Sequence, residues 1–135
     1  MNENEIAKKV LDSAFLVHTT LGPGLLESVY EVVLAHELKK AGLRVERQRP
    51  MPITYDGMLF EEGYRADLLV ESKVIVELKS VAAISAVHSK QVLTQLRLSE
   101  LKLGLLINFC EAHLKNGIKR IINGELEPEI SGLSL

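Results

Sequence analysis

The chain has 135 residues, 47% of them hydrophobic and 25% charged, a balance that fits one globular domain with a real core and excludes a disordered chain. Sixteen lysines and arginines against eighteen aspartates and glutamates leave a formal charge of -2, so no global basic field advertises nucleic acid and any such contact has to be local. The single cysteine, Cys110, excludes a disulfide framework or a cysteine zinc site within one chain, and its apolar surroundings predict a buried, inert thiol. The polar start MNENEIAKKV is unlike a signal peptide, and no apolar run approaches the roughly 20 residues that span a bilayer. A cytoplasmic location with no membrane partner is the expectation.

In chain order, residues 4 to 20 carry Ile6, Val10, Leu11, Ala14, Phe15 and Val17, with Leu21 just beyond, at helical spacing. Gly22, Pro23 and Gly24 break this first helix. The period resumes through Leu25, Val29, Val32, Val33 and Leu38 and closes on Lys39, Lys40 and Gly42, predicting a second helix with Val29, Val32 and Val33 on its buried side. From residue 43 the pattern shortens: LRVERQ and MPITYDGMLFEEG are β-branched or aromatic pieces punctuated by Pro50, Pro52 and Gly57. YRADLLV and KVIVELKS follow as two strong strands with a polar turn at Ser72, a hairpin. AVHSKQVLTQLRLSE returns to a helical period, LKLGLLINF reads as a buried strand and GIKRIIN as a weaker last one. The order predicts a mixed α/β sheet preceded by two helices, in one domain over residues 1 to 135.

The hairpin carries the chemical signal. With the turn centred on Ser72, Asp67 stands opposite Glu77 and Arg65 opposite Lys79, and directly opposed residues have Cβ atoms roughly 4.5 to 5.5 Å apart. A slip of one residue would instead put the two carboxylates on different faces. Opposed carboxylates repel each other and call for a partner. Lys79 is one; a divalent cation is another, because Mg²⁺ takes one or two carboxylates and keeps several waters. A lysine beside such a metal can orient an attacking water or stabilise charge on a phosphate. The plainer alternative is the solvated side of an edge hairpin, against which stand the flanking DLLV and VIVELKS, apolar enough for central strands.

Asp67 followed by ELK at 77 to 79 resembles the D-x(n)-E-x-K signature of the PD-(D/E)XK nuclease superfamily, and Gly24, Glu27 and Tyr30 in GLLESVY resemble the G-x-x-E-x-x-Y motif of its GxxExxY branch. With HSKQVLTQL and LGLLINF in order behind them, the resemblance covers roughly residues 5 to 122. It implies a restriction-endonuclease-like α/β core, a mixed central sheet flanked by helices, and a nuclease that hydrolyses phosphodiester bonds of DNA or RNA with metal-activated water. It further implies Asp67 and Glu77 as ligands of Mg²⁺ (or Mn²⁺), Lys79 as the catalytic lysine and Glu27 as an additional carboxylate to the metal or its water. Gln91 matches the glutamine of a Q-x-x-x-Y motif that borders the site in related nucleases; Gln95 stands where that motif has tyrosine, which puts substrate positioning in doubt.

Further candidate substrate contacts are His88, on the same helix as Gln91 and Gln95, and Arg65 on the proposed site face. Arg44, Arg47, Arg49, Lys73, Lys90 and Arg97 are the remaining cations within reach of a phosphate backbone, and none forms a long basic run. Aromatics are only 4% of the chain, which argues against broad base stacking and for recognition of backbone and shape. A second function stays open: a catalytically weak or inactive nuclease-fold module that binds nucleic acid or a protein. A domain this small, if it is to cover a nucleic acid, calls for a homodimer or a protein partner.

Overall fold

The computed structural model describes residues 1–127, so the last eight positions of the expected domain lie outside the described residues. The first helix, α1, spans Glu3–Leu21. It opens with a capping box in which the Asn2 side chain accepts from Glu5 N–H at 2.9 Å and Glu5 Oε1 accepts from Asn2 N–H at 3.1 Å, satisfying two donors that a helix start leaves unpaired. Its buried stripe of Ile6, Ala7, Val10, Leu11, Ala14 and Val17 follows the helical period, while Phe15 and Leu21 are turned outward.

The second helix, α2, spans Glu27–Lys40 and buries Tyr30, Glu31, Leu34, Ala35 and Leu38. That corrects the expected packing side: Val29 and Val32 are exposed, and of the three valines only Val33 packs partly on the core. Tyr30 is the residue that turns the helix. Its ring is fully buried and stacked on Phe109, with centroids 4.5 Å apart, and its hydroxyl donates to Gly22 O at 2.6 Å and accepts from Leu25 N–H at 3.1 Å. The side chain thus closes the glycine-proline-glycine turn, where Gly22 and Gly24 take φ of 76° and 101° that other residues adopt only with strain.

Five strands form one sheet in the order β1-β2-β3-β4-β5, with β1 at Val45–Tyr55, β2 at Met58–Val70, β3 at Val74–Lys79, β4 at Leu103–Asn108 and β5 at Ile118–Ile122. All neighbours are antiparallel except β3 and β4, which run parallel and are linked by the third helix, α3, at Ala86–Ser99. The pieces expected between residues 43 and 63 are not separate: β1 and β2 form one long hairpin. Asp56 and Gly57, at φ of 47° and 77°, make its two-residue turn. Pro50 and Pro52 are tolerated because β1 is an edge strand, with no neighbour on its outer side to need their missing N–H groups.

Both faces of the sheet are covered, which fits the restriction-endonuclease-like α/β fold. α1 and α2 pack on Leu68, Val70, Val74, Val76, Leu78, Leu103, Leu105 and Ile107; α3 packs through Val92 and Leu96 on Met51, Ala66, Leu69 and Ile75. At Gly104 a side chain would meet Val92 Cγ1 at 2.6 Å, so this glycine lets α3 lie close on β4. The first two strands exchange faces midway. Val45 and Leu68 pack with α1 and α2, whereas Met51 and Ala66 pack with α3, and between them lie Gln48, in a left-handed conformation at φ 50°, and Asp67.

Candidate active site

The β2–β3 hairpin turns at Glu71–Lys73 and pairs Leu68 with Val76, Leu69 with Ile75 and Val70 with Val74, the register expected for a turn centred on Ser72. The next step along the strands brings Asp67 and Glu77 together. There the ladder gives way: Asp67 Oδ2 accepts the Leu78 N–H at 2.9 Å, a carboxylate taking the donor that a strand carbonyl would otherwise take. The two strands part at that point, and the parting is built by the candidate ligand itself.

Glu77 lies on the β3 face shared with Ile75, toward α3, and is only 8% exposed. Its Oε1 is buried without a hydrogen-bond partner. Burial, and then the neighbouring Asp67 charge and side chain, push its carboxyl up to about 9, against the opposing pull of the Asp67 main-chain N–H and the Lys79 ammonium. Lys79, two residues on and half-buried, follows Glu77 on the same face.

Asp67 also borders an open cleft of about 680 Å³ between α2 and the strand ends, lined by Leu25, Leu26, Glu27, Ser28, Glu31, Gln48, Asp67 and Ser80. Glu27 comes in from the first turn of α2, where its Oε1 accepts from Ser80 N–H at 3.2 Å, and the Ser80 hydroxyl donates to Leu25 O at 2.8 Å. The turn that bears Glu27 is therefore stitched to the residue after Lys79. On the far side of β3, Asn108 holds the same loop: its side chain accepts from Val81 N–H at 3.1 Å and donates to Val81 O at 2.8 Å.

Two residues of the cleft carry no site role in the sequence pattern. Glu31, buried on α2, accepts from Arg47 Nη2 at 3.0 Å and Nε at 3.2 Å and from Gln48 Nε2 at 2.6 Å. Gln48 Nε2 also donates to Asp67 Oδ1 at 3.2 Å. The available signal for Glu31 was a carboxylate one helical turn after Glu27 and on the helix's buried side; nothing local marked Gln48.

The other expected contacts stand elsewhere. Gln91 and Gln95 line a separate hollow of about 500 Å³ beneath α3 with Tyr64 and Lys90. There the Tyr64 hydroxyl donates to Gln95 O at 3.2 Å and bonds Ser99 Oγ, and Gln95 Oε1 is buried without a partner. Burial raises the Tyr64 hydroxyl above its ordinary value, the Ser99 bond opposes this, and the Glu77 charge adds to it. His88 closes the capping box of α3, its Nδ1 accepting from Ser85 N–H at 3.2 Å. Arg65 is exposed and paired with Glu62. Lys73 donates to Met1 O at 2.6 Å, and Cys110, expected to be buried, is half-exposed.

Among the described residues no group of three or more His, Cys, Asp or Glu is gathered as a metal cluster, so Glu27 does not join Asp67 and Glu77 in one compact set. The pair alone fits a hard divalent cation: two carboxylates, an orphaned buried oxygen and a mutual repulsion that a cation would relieve. No described helix is long and apolar enough to cross a membrane. Residues 4–121 match the family model of the PD-(D/E)XK nuclease superfamily. No curated protein and no solved structure matches the chain.

Proposed function

Because the chain belongs to the PD-(D/E)XK nuclease superfamily, we propose that it is a divalent-metal-dependent nuclease acting on DNA or RNA at Asp67, Glu77 and Lys79, and that within the superfamily it is a GxxExxY protein. The observation that carries the reading is the buried Glu77 carboxyl, its Oε1 orphaned, set against the half-buried Asp67 at the cleft edge. Asp67 has a structural use in accepting the Leu78 N–H, but folding gives no reason to bury Glu77 against it at a cost in desolvation and repulsion.

Asp67 and Glu77 would hold Mg²⁺ or Mn²⁺, and the chemistry such an ion would supply is an acidified water and stabilisation of charge on the phosphate. Glu77 would have to be ionised to serve as a ligand, its proton passing to solvent. Lys79 orients the attacking water and stabilises the charge that develops on the phosphate. Glu27, fixed by Ser80 at the wall of the cleft, accepts a hydrogen bond from water at the site rather than completing a three-carboxylate cluster. Gln91 and Gln95, in their own hollow, contact nucleic acid beyond the scissile bond.

Incubation of the purified protein with single-stranded, duplex and structured DNA and RNA, with Mg²⁺ or Mn²⁺ and with chelator, tests this. Metal-dependent cleavage should fall at least about a hundredfold in Lys79→Ala and in Asp67→Ala. Cleavage that persists unchanged in both variants would come from a contaminant or another site. The second reading, a nuclease-fold module that binds without efficient turnover, is favoured by Gln95 in place of tyrosine; retained nucleic-acid binding without cleavage under every metal would establish it.

A further inference from the structure

We propose that Gln48 is a positioning residue that holds the Asp67 carboxylate for its ligand, and that the buried Glu31–Arg47 pair exists to hold Gln48. This rests on the nuclease reading.

Between two carboxylates only the NH₂ end of an amide can donate, so the orientation of Gln48 is set by chemistry. That NH₂ spans Glu31 Oε1 at 2.6 Å and Asp67 Oδ1 at 3.2 Å. With Leu78 N–H on Oδ2, each Asp67 oxygen has one fixed donor, so the carboxylate cannot rotate without breaking a bond. Gln48 reaches both partners from a left-handed backbone position that a glutamine adopts at a cost, at the point where β1 and β2 exchange faces. Glu31 is a buried charge satisfied by three donors from two consecutive residues of β1, one of which is the amide that continues to Asp67. The same stability would come more simply from an apolar residue at position 31, so the network is accounted for by what lies at its end.

Free Mn²⁺ followed by electron paramagnetic resonance during titration of the full-length protein tests the role without relying on cleavage. The samples are wild type, Gln48→Leu, Glu31→Leu, the double variant and Asp67→Ala, each with a thermal melt. Gln48→Leu should weaken Mn²⁺ binding about 10- to 100-fold, the range for groups that orient a metal ligand, with the melt showing that the variant still unfolds cooperatively, at a lower temperature because Glu31 Oε1 loses its donor. The double variant should lose no more than the weaker-binding single variant, because both act through one bond to Asp67. Should Gln48→Leu fail to fold, Glu31→Leu carries the test with the same expected loss. Unchanged affinity in the folded variant, or additive losses in the double variant, overturns the proposal. If Asp67→Ala alone loses the ion, the nuclease site stands and the role of Gln48 falls; if Asp67→Ala binds Mn²⁺ like wild type, both fall.

Discussion

Among the described residues, Glu77 is the side chain whose ionisation the fold alters most. Its ordinary value applies in the unfolded chain, and burial beside Asp67 raises it to about 9 in the folded one. Between those values the folded protein holds a proton that the unfolded chain has lost, so stability falls as pH rises from about 5 toward 9. Glu77→Gln removes this dependence. In metal-free buffer the variant should melt at a temperature that exceeds the wild type's by a margin growing from pH 5 to pH 8; a constant margin would mean that Glu77 ionises freely in the fold. Cation binding should show the mirror image, tightening as pH rises over the same range.

Asp67, Glu77 and Lys79 were legible as a group because strand alternation and a turn at Ser72 are short-range facts. Glu31 and Gln48 were not, because their meaning lies in contacts of 17 and 19 residues' separation, Gln48 to Glu31 and Gln48 to Asp67.

The second helix shows how a single aromatic residue can override a hydrophobic pattern. Val29, Val32 and Val33 suggested one buried side, but the ring of Tyr30 on Phe109 turns Leu34 and Leu38 inward instead and leaves Val29 and Val32 in solvent. The hydroxyl then ties the turn that presents Glu27. Tyr30→Phe keeps the stacking and removes two hydrogen bonds, a change expected to cost about 1 to 3 kcal/mol, read as a lower urea midpoint with unchanged slope. A change in slope instead would show that the turn opens a larger region.

Among the strands, the Asp-Gly turn at 56–57 was readable in the residues, yet the prolines on either side of Met51 suggested breaks. They are compatible with a continuous strand only because that strand lies at the sheet's edge, and edge position is a property of the whole sheet.

Seen as one molecule, the protein has a sheet that is thick at its centre and bare at one end. All six residues of β4 are buried, whereas most of the β1–β2 hairpin from Pro52 to Gly63 is exposed, including Tyr55, Met58, Leu59 and Phe60. Hydrogen exchange should resolve this difference. The amides of Leu105, Leu106 and Ile107 should open only with global unfolding, and those of the outer hairpin through local openings of much lower free energy. Equal protection along both segments would mean that the hairpin belongs to the same cooperative unit as the centre. The order of elements followed from residue periodicity and the flanking helices from the family resemblance; the extent of the hairpin, and the exchange of faces at Gln48 and Asp67, arise from pairing between distant segments that no local period records.

The bond from Leu78 N–H to Asp67 also bears on how activity could be lost over time. Asp67 is at once a candidate ligand and a piece of sheet carpentry, so a descendant that no longer cut nucleic acid would still be held to an aspartate there by its need to fold. The Lys79 ammonium makes no hydrogen bond or ion pair among the described residues, and its influence is on the charge of Glu77, the other candidate ligand. Drift would reach the lysine first, which makes Lys79 the more telling witness to a living enzyme.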